Sequence, residues 1–197
     1  MLETSFASSD ATHQHHFLAD WLQLHKGDFG FRTPTADEFR FATAIALLGG
    51  ARGIGMWAAY RMNMTWAAET LPPLLTELGC LGRAAVSSDR ARRSIVLPEP
   101  SLVMTTTDGQ DASIVAALYA NTSSSPLLLA VRTVISSSNS SVKFGGALLR
   151  GFISAKRVKL GKVQSTHNII DGSFTDQMRG LDVAIYRLNP GPIKKGR

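Results

Sequence analysis

The glycine cluster at residues 49–55 is the stretch whose residue types and spacing suggest chemistry most directly. It reads Gly49-Gly50-Ala51-Arg52-Gly53-Ile54-Gly55. Glycines at such spacing let a backbone approach a phosphate closely, and the free N–H groups of a following helix can then bind the anion. The alternative is that these glycines end one helix and permit a close-packed restart of the next. Glycine allows this because it adopts positive φ and has no Cβ.

Together with Leu47 and Leu48, this stretch resembles the glycine-rich turn of the short-chain dehydrogenase/reductase family. The resemblance implies an NAD(P) cofactor and a Tyr-x-x-x-Lys pair whose tyrosine is the acid/base. The nearest match is the segment Phe152–Lys156, in which phenylalanine has no proton to transfer. A helix, not a strand, is expected before the glycines, because Thr35 and Glu38 have the spacing of a capping box. We therefore predict no cofactor and no catalytic residue, and keep a reductase as the alternative function.

Histidines near the N-terminus could in principle hold zinc together with Asp20; they are His13, His15 and His16. We interpret them as a polar helix face and predict no metal site. The single cysteine, Cys80, cannot form an intramolecular disulfide, which favours a reducing compartment. The first ten residues lack the features of a signal peptide, and no apolar run approaches the roughly 20 residues that span a bilayer. We expect a virion or cytoplasmic location, no secretion and no membrane partner.

The net charge of +6 is unevenly distributed along the chain. Residues 1–82 carry −3 and residues 83–197 carry +9, and residues 112–170 contain no carboxylate. A basic field of this kind attracts polyanions. We predict contacts with nucleic acid, RNA more than DNA, through Arg90, Arg92, Arg93, Arg132, Lys143, Arg150, Lys156, Arg157, Lys159 and Lys162. Arg157 and Lys159 would project from one face of a strand, because side chains alternate along a strand.

Hydrophobic periodicity predicts helices in the first half of the chain. An apolar stripe at residues 17–24 and a second apolar segment at residues 54–70 both suit helices. Pro72 and Pro73 are expected to open a further short turn that ends at Gly79. The segment 54–70 is apolar on most sides, which indicates burial or an interface. We predict self-association through Trp57, Met62, Met64 and Trp66.

The second half is predicted to be rich in strands. Its segments contain many Val, Ile, Thr and aromatic residues and are separated by serine and asparagine clusters. Leu181, Val183 and Ile185 alternate with other side chains, as in a half-buried strand. Residues 113–119 suit a helix or a strand. Helices followed by strands predict an α+β fold, with the helices on one side of a mainly antiparallel sheet.

The predicted organisation is a single domain over residues 1–197. Subregion 1–82 contains a helical part at about 10–80, and the basic subregion 83–188 contains a β-rich part at about 94–188. The helical part is expected to pack against the β-rich part. A mobile basic tail is predicted at 189–197. Because the sequence shows no recognisable set of catalytic residues, these features favour a non-enzymatic structural protein that self-associates, such as a viral coat or virion-associated protein. A ribonucleoprotein or protein-interaction module is the further alternative.

Overall fold

The computed structural model describes residues 19–23, 34–49, 51, 53–57, 64–87, 103–106, 113–121 and 124–191. Two helices, α1 and α2, span Ala36–Gly49 and Met64–Ser87. The strands among these residues are β1 (Ala19–Gln23), β2 (Gly53–Trp57), β3 (Val103–Thr106), β4 (Ile114–Asn121), β5 (Ser124–Arg132), β6 (Ser140–Gly145), β7 (Phe152–Lys159), β8 (Lys162–Asn168), β9 (Ser173–Met178) and β10 (Val183–Pro190). The helices precede a mostly antiparallel sheet region, so the predicted α+β class is confirmed.

The first elements form a parallel βαβ unit. Strands β1 and β2 pair in register from Ala19 opposite Gly53 to Gln23 opposite Trp57, and α1 connects them. The helix predicted at residues 17–24 is therefore wrong, and the helix predicted at 54–70 is wrong in its first part, since strands occupy residues 19–23 and 54–57, while residues 64–70 lie in α2. Short apolar runs have the same composition in a buried helix and in a strand of a parallel sheet, so periodicity cannot distinguish them.

Both ends of α1 follow the predicted signals. The Thr35 N–H donates to Glu38 Oε2 at 2.8 Å, and the Glu38 N–H donates to Thr35 Oγ1 at 3.2 Å, which completes a capping box. The helix ends at Gly49, and the Ala51 N–H donates to the Ala46 carbonyl at 2.9 Å, a six-to-one bond typical of a helix C-terminus. The glycines thus lead from a helix into a strand, the reverse of the strand-to-helix order in a dinucleotide turn.

Helix α2 continues through Pro72 and Pro73, where the sequence predicted a new turn. Four leucines at helical spacing are buried, namely Leu71, Leu74, Leu78 and Leu81. Burial of each is worth about 1.5–3 kcal/mol, which outweighs a cost of roughly 3 kcal/mol per interior proline. No helix among the described residues has the length and apolar composition needed to cross a membrane.

The strands of the second half form a sandwich with a helical layer on one side. One sheet has the order β4-β5-β10-β7-β8 and the other β3-β6-β9, with antiparallel neighbours throughout. Leu129 and Ile185 face the helices, whereas Leu128 and Tyr186 face the three-stranded sheet. The five-stranded sheet is therefore the central layer, with a core on each side. The ambiguous segment 113–119 lies in β4.

Among the described residues, three that are not glycine adopt positive φ, all in turns of the sandwich: Leu160 (51°), Asp171 (51°) and Leu181 (56°). Asp171 and Gly172 form the two-residue turn between β8 and β9, a position that favours Asp-Gly. Leucine is disfavoured in the left-handed region by about 1–2 kcal/mol. Asn189 and Pro190, predicted to begin the mobile tail, instead end β10, and residues 192–197 lie outside the described residues.

Candidate functional site: a charged cleft at one end of the sandwich

A cleft of about 580 Å³ lies between the start of α1 and one end of the sandwich. Its walls are the first turns of α1, Arg157 and Lys159 at the end of β7, most of the segment 177–183, and Asn139. We call this site the charged cleft. Its volume is within the roughly 300–1,000 Å³ of typical ligand pockets.

The charged cleft lies on the side of the molecule to which the parallel strands point. Helix α1 ends only three residues before β2 begins, so its C-terminus lies at the amino end of β2. Because β1 and β2 are parallel, the N-terminus of α1 lies towards their carboxyl ends. In α/β folds, ligands bind at the carboxyl ends of parallel strands.

Arg157 forms two ion pairs at the floor of the cleft. Its NH1 group donates to Asp176 Oδ2 at 3.0 Å and its NH2 group to Asp182 Oδ2 at 2.6 Å. The side chains are largely buried, with exposures of 18% for Arg157, 11% for Asp176 and 22% for Asp182. Burial alone would lower the pKa of Arg157, but the neighbouring negative charge, chiefly that of Asp182, outweighs it and raises the pKa. The guanidinium therefore holds β7 of one sheet to β9 of the other and to the turn before β10.

Asp176 is also bound by groups on two further strands. The Tyr186 hydroxyl donates to Asp176 Oδ2 at 2.8 Å, and His167 Nε2 lies 3.5 Å from the same oxygen. Burial, and then the charge of Asp176, raise the pKa of Tyr186 well above its usual range, so the phenol stays protonated. Ser165 Oγ lies 2.8 Å from His167 Nε2 as well. A catalytic triad places its serine and carboxylate on opposite ring nitrogens, so this cluster has the wrong geometry for nucleophilic catalysis.

Lys159 forms a more exposed ion pair across the mouth of the cleft. Its Nζ lies 3.0 Å from Asp37 Oδ1 in the first turn of α1. The side chains are 45% and 75% exposed, respectively, so water screens this pair. The contact nevertheless brings the end of β7 to the helix.

The predicted phosphate-binding residues are not gathered on one surface. Arg132 is 1% exposed and donates to the Met178 carbonyl at 2.9 Å, so its burial removes it from any such surface. The charges of Arg157 and Lys159 are paired with carboxylates that lie outside the acid-free stretch. The remaining described residues are exposed but spread over both sheets and a turn: Lys143, Arg150, Lys156 and Lys162. Arg90, Arg92 and Arg93 lie outside the described residues.

The predicted oligomer interface is also divided among different elements. Trp66 packs edge-to-face on Phe39, with ring centroids 6.1 Å apart, and so belongs to the core between the helices. Met64 at the start of α2 is exposed. Trp57 lies in β2, where only the backbone is described, and Met62 and the N-terminal histidine cluster lie outside the described residues. The single apolar helix on which the interface prediction depended is absent from the described part of 54–63.

Sequence reasoning did not identify the carboxylates that organise the cleft. Asp176 and Asp182 come shortly after the acid-free stretch, and Tyr186 was not predicted to bind a carboxylate. The available signal was the position of the two acids, since acids that follow a run of seven cations are natural partners for them. The buried pair of Arg40 and Glu77 had no such signal, because 37 residues separate its members.

Arg157 and Lys159 are expected to differ in their effect on stability. Replacing Arg157 with methionine should lower the free energy of unfolding by about 2 kcal/mol, because two largely buried carboxylates lose their cation. Replacing Lys159 with methionine should cost less than about 1 kcal/mol, because that pair is exposed. Urea unfolding followed by circular dichroism would measure both variants. Equal losses would contradict the structural role assigned to Arg157.

Comparison with known proteins identifies a fold but no family. The chain matches no protein-family model, and no curated protein matches its sequence. Among solved structures, it is similar to a "putative alpha-N-acetylgalactosaminidase" from Bacillus halodurans C-125, with 10% identity, 80% of this chain and 33% of that chain covered, and a TM-score of 0.50. It also matches an Anoxybacillus alpha-amylase, with 14% identity, 89% of this chain and 39% of that chain covered, and a TM-score of 0.49. A GH30 endoxylanase from Clostridium papyrosolvens C71 matches with 13% identity, 87% of this chain and 42% of that chain covered, and a TM-score of 0.48.

The likeness to the Bacillus halodurans protein corrects the function predicted from composition. The chain spans about a third of the length of that protein, which is described as a "putative alpha-N-acetylgalactosaminidase". The interpretation as a non-enzymatic structural protein, with its coat, virion and RNA-binding roles, is therefore wrong. That interpretation depended on charge, which reports on association and not on fold.

Proposed function

We propose that this chain is part of a carbohydrate-active enzyme of the glycoside hydrolase kind. In this proposal it contributes a βαβ unit with its following helix to a larger α/β framework, together with the β-sandwich packed against those helices. The main support is the fold likeness to the Bacillus halodurans protein, which covers 80% of this chain at a TM-score of 0.50. The identity of 10% gives no information about the substrate.

The pairing of β1 and β2 supports a larger parallel sheet. Among the described residues, each of these two strands pairs only with the other. Parallel sheets are otherwise found with several strands and with both faces covered, since an isolated pair is marginally stable. A larger parallel sheet that includes β1 and β2 would place a saccharide site at its carboxyl edge.

The described carboxylates near the cleft suit structural roles. Glycoside hydrolysis uses two carboxyl groups on either side of the scissile bond, one of which must be protonated. Asp176 and Asp182 share Arg157, and Asp37 pairs with Lys159, so each of these carboxylates is already bound by a cation of the chain itself. We therefore assign no catalytic acid among these three residues.

Saccharide binding and glycoside cleavage by the purified chain would test this proposal. Calorimetric titration with maltotriose, xylotriose and N-acetylgalactosamine, and cleavage of the corresponding nitrophenyl glycosides, are the two measurements. Saturable binding of one sugar, or cleavage above the uncatalysed rate, is expected. Mannitol at equal concentration is the control, because it offers hydroxyl groups without a ring. A folded protein that neither binds nor cleaves any of these compounds would contradict the proposal.

A further inference from the structure

We infer that the charged cleft is a binding subsite for a neutral saccharide. Leu181 would supply the apolar surface for a sugar ring, and Asn139, Gln177 and Arg179 would supply the polar contacts. This inference rests on the proposed function and adds a location and a ligand class to it. Four properties of the cleft support it.

The first property is its open hydrogen-bonding capacity. Within the described residues, the Gln177 side-chain amide makes no hydrogen bond, although the Gln177 carbonyl accepts from Arg157 at 2.8 Å. Arg179 Nε donates to Asn139 Oδ1 at 3.3 Å, which leaves the terminal guanidinium nitrogens and the Asn139 NH₂ group for a ligand. Sugar hydroxyls donate and accept, so planar amide and guanidinium groups side by side can bind neighbouring hydroxyls together.

The second property is the balance of charge. Four cations line the cleft: Arg40, Arg157, Lys159 and Arg179. Three carboxylates line the cleft with them, namely Asp37, Glu38 and Asp182. Two more bind these cations from outside the lining, since Glu77 pairs with Arg40 and Asp176 pairs with Arg157. The five carboxylates together offset the four cations. A phosphate or carboxylate ligand requires an excess of positive charge, which this cleft lacks. The balance favours an uncharged ligand with many hydroxyl groups.

The third property is the strained position of Leu181. Its φ is 56°, a conformation in which asparagine or glycine would cost less. The turn is held in place because the Leu181 N–H donates to the Val134 carbonyl and the Gly180 N–H to the Ser136 carbonyl, both at 3.1 Å. Despite this cost, the leucine side chain is 36% exposed and lines the cleft. Backbone strain of this kind is found preferentially at ligand sites.

The fourth property is the shape of the apolar surface. Leu181, in the turn before β10, and Phe41, in α1, both line the cleft. The C–H face of a pyranose ring is apolar and packs on such side chains, while the ring edge carries the hydroxyls. A cleft of about 580 Å³ has room for more than one ring.

The test compares one substitution at two strained leucines. Leu181→Asn should leave the melting temperature unchanged or slightly higher, because asparagine tolerates the left-handed region. It should weaken saccharide binding about tenfold, because the apolar surface is lost. Leu160→Asn is the matched control, since Leu160 has a φ of 51° and is 43% exposed but does not line the cleft. It should bind as the wild type does. Arg179→Ala should also weaken binding about tenfold.

Calorimetry with maltotriose, xylotriose, N-acetylgalactosamine and inorganic phosphate separates the outcomes. Wild-type saccharide binding that only Leu181→Asn and Arg179→Ala weaken supports the inference. If the wild type binds a saccharide or cleaves a glycoside and no cleft variant alters this, the inference is overturned and the proposed function stands. If the wild type binds phosphate and no sugar, and Arg179→Ala loses this binding, the inference that the ligand is neutral is overturned. If the folded wild type neither binds a saccharide nor cleaves a glycoside, both proposals are overturned.

Discussion

Replacing Glu77 with glutamine is expected to lower the free energy of unfolding by about 3–5 kcal/mol. Glu77 receives two hydrogen bonds from Arg40, with Nε to Oε2 at 3.2 Å and NH2 to Oε1 at 2.7 Å. The two side chains are 4% and 3% exposed, and the remaining Arg40 amino group donates to the Val183 carbonyl. Since arginine cannot lose its proton in a protein, the amide would leave a buried charge without a counterion.

Chemical denaturation monitored by far-ultraviolet circular dichroism would measure this loss. Glu69→Gln is the control, because Glu69 lies exposed on the same helix and its replacement should change stability by less than about 0.5 kcal/mol. The double variant Arg40→Met with Glu77→Leu should recover most of the stability, because apolar side chains of similar size often replace a buried ion pair without loss. A loss below about 1 kcal/mol in Glu77→Gln would contradict the buried pair.

Replacing Gly180 with alanine is expected to lower the free energy of unfolding by about 3 kcal/mol. A Cβ at this position would lie 2.3 Å from the Ser136 nitrogen, 2.4 Å from the Ser136 oxygen and 2.4 Å from the Val134 oxygen. All three atoms belong to the backbone, so no side-chain rotation relieves the contacts. The turn that carries Leu181 and Asp182 must therefore separate from residues 134–136, and the melting temperature should fall by roughly 6–12 °C.

Gly151→Ala provides the matched comparison for this effect. A Cβ at Gly151 would meet no atom within 4 Å, and its φ is outside the left-handed region. Its replacement should therefore change the melting temperature by no more than about 2 °C. Differential scanning calorimetry of both variants would separate a specific close contact from a general intolerance of alanine. Similar melting temperatures for the two variants would show that the turn accommodates the added methyl group.

The parts of the fold that the sequence predicted correctly have local chemical signals. Thr35 and Glu38 cap α1 because their side chains reach each other's backbone N–H within one turn. Val183 and Ile185 face the helices as their alternation requires. Strands β1 and β2 had no such signal, because their pairing joins residues 34 positions apart and depends on α1 packing over them. Local periodicity contains no information about a partner strand.

The charged cleft could not be predicted because its charges come together only in the folded chain. The acid-free stretch at 112–170 suggested an uncompensated basic surface. In the structure, Asp176 reaches Arg157 from β9 of the other sheet, Asp182 reaches it from the turn before β10, and Asp37 reaches Lys159 from 122 residues away. Counting charges along a sequence therefore overestimated the field at the surface. Leu181, assigned to the sandwich by its alternation, lies instead at a turn, where its φ could not be inferred from its residue type.

The position of β10 determines the order in which this chain can assemble during synthesis. Strand β10 lies between β5 and β7 at the centre of the five-stranded sheet, although it follows both in the chain. The hairpins β4–β5 and β7–β8 can form as soon as they leave the ribosome, but each then exposes an unpaired edge. Arg40 must also wait for Val183, which is 143 residues further along. A nascent chain that pauses before residue 183 therefore presents two open strand edges, which makes ribosome stalling in this region a point of aggregation risk and chaperone demand.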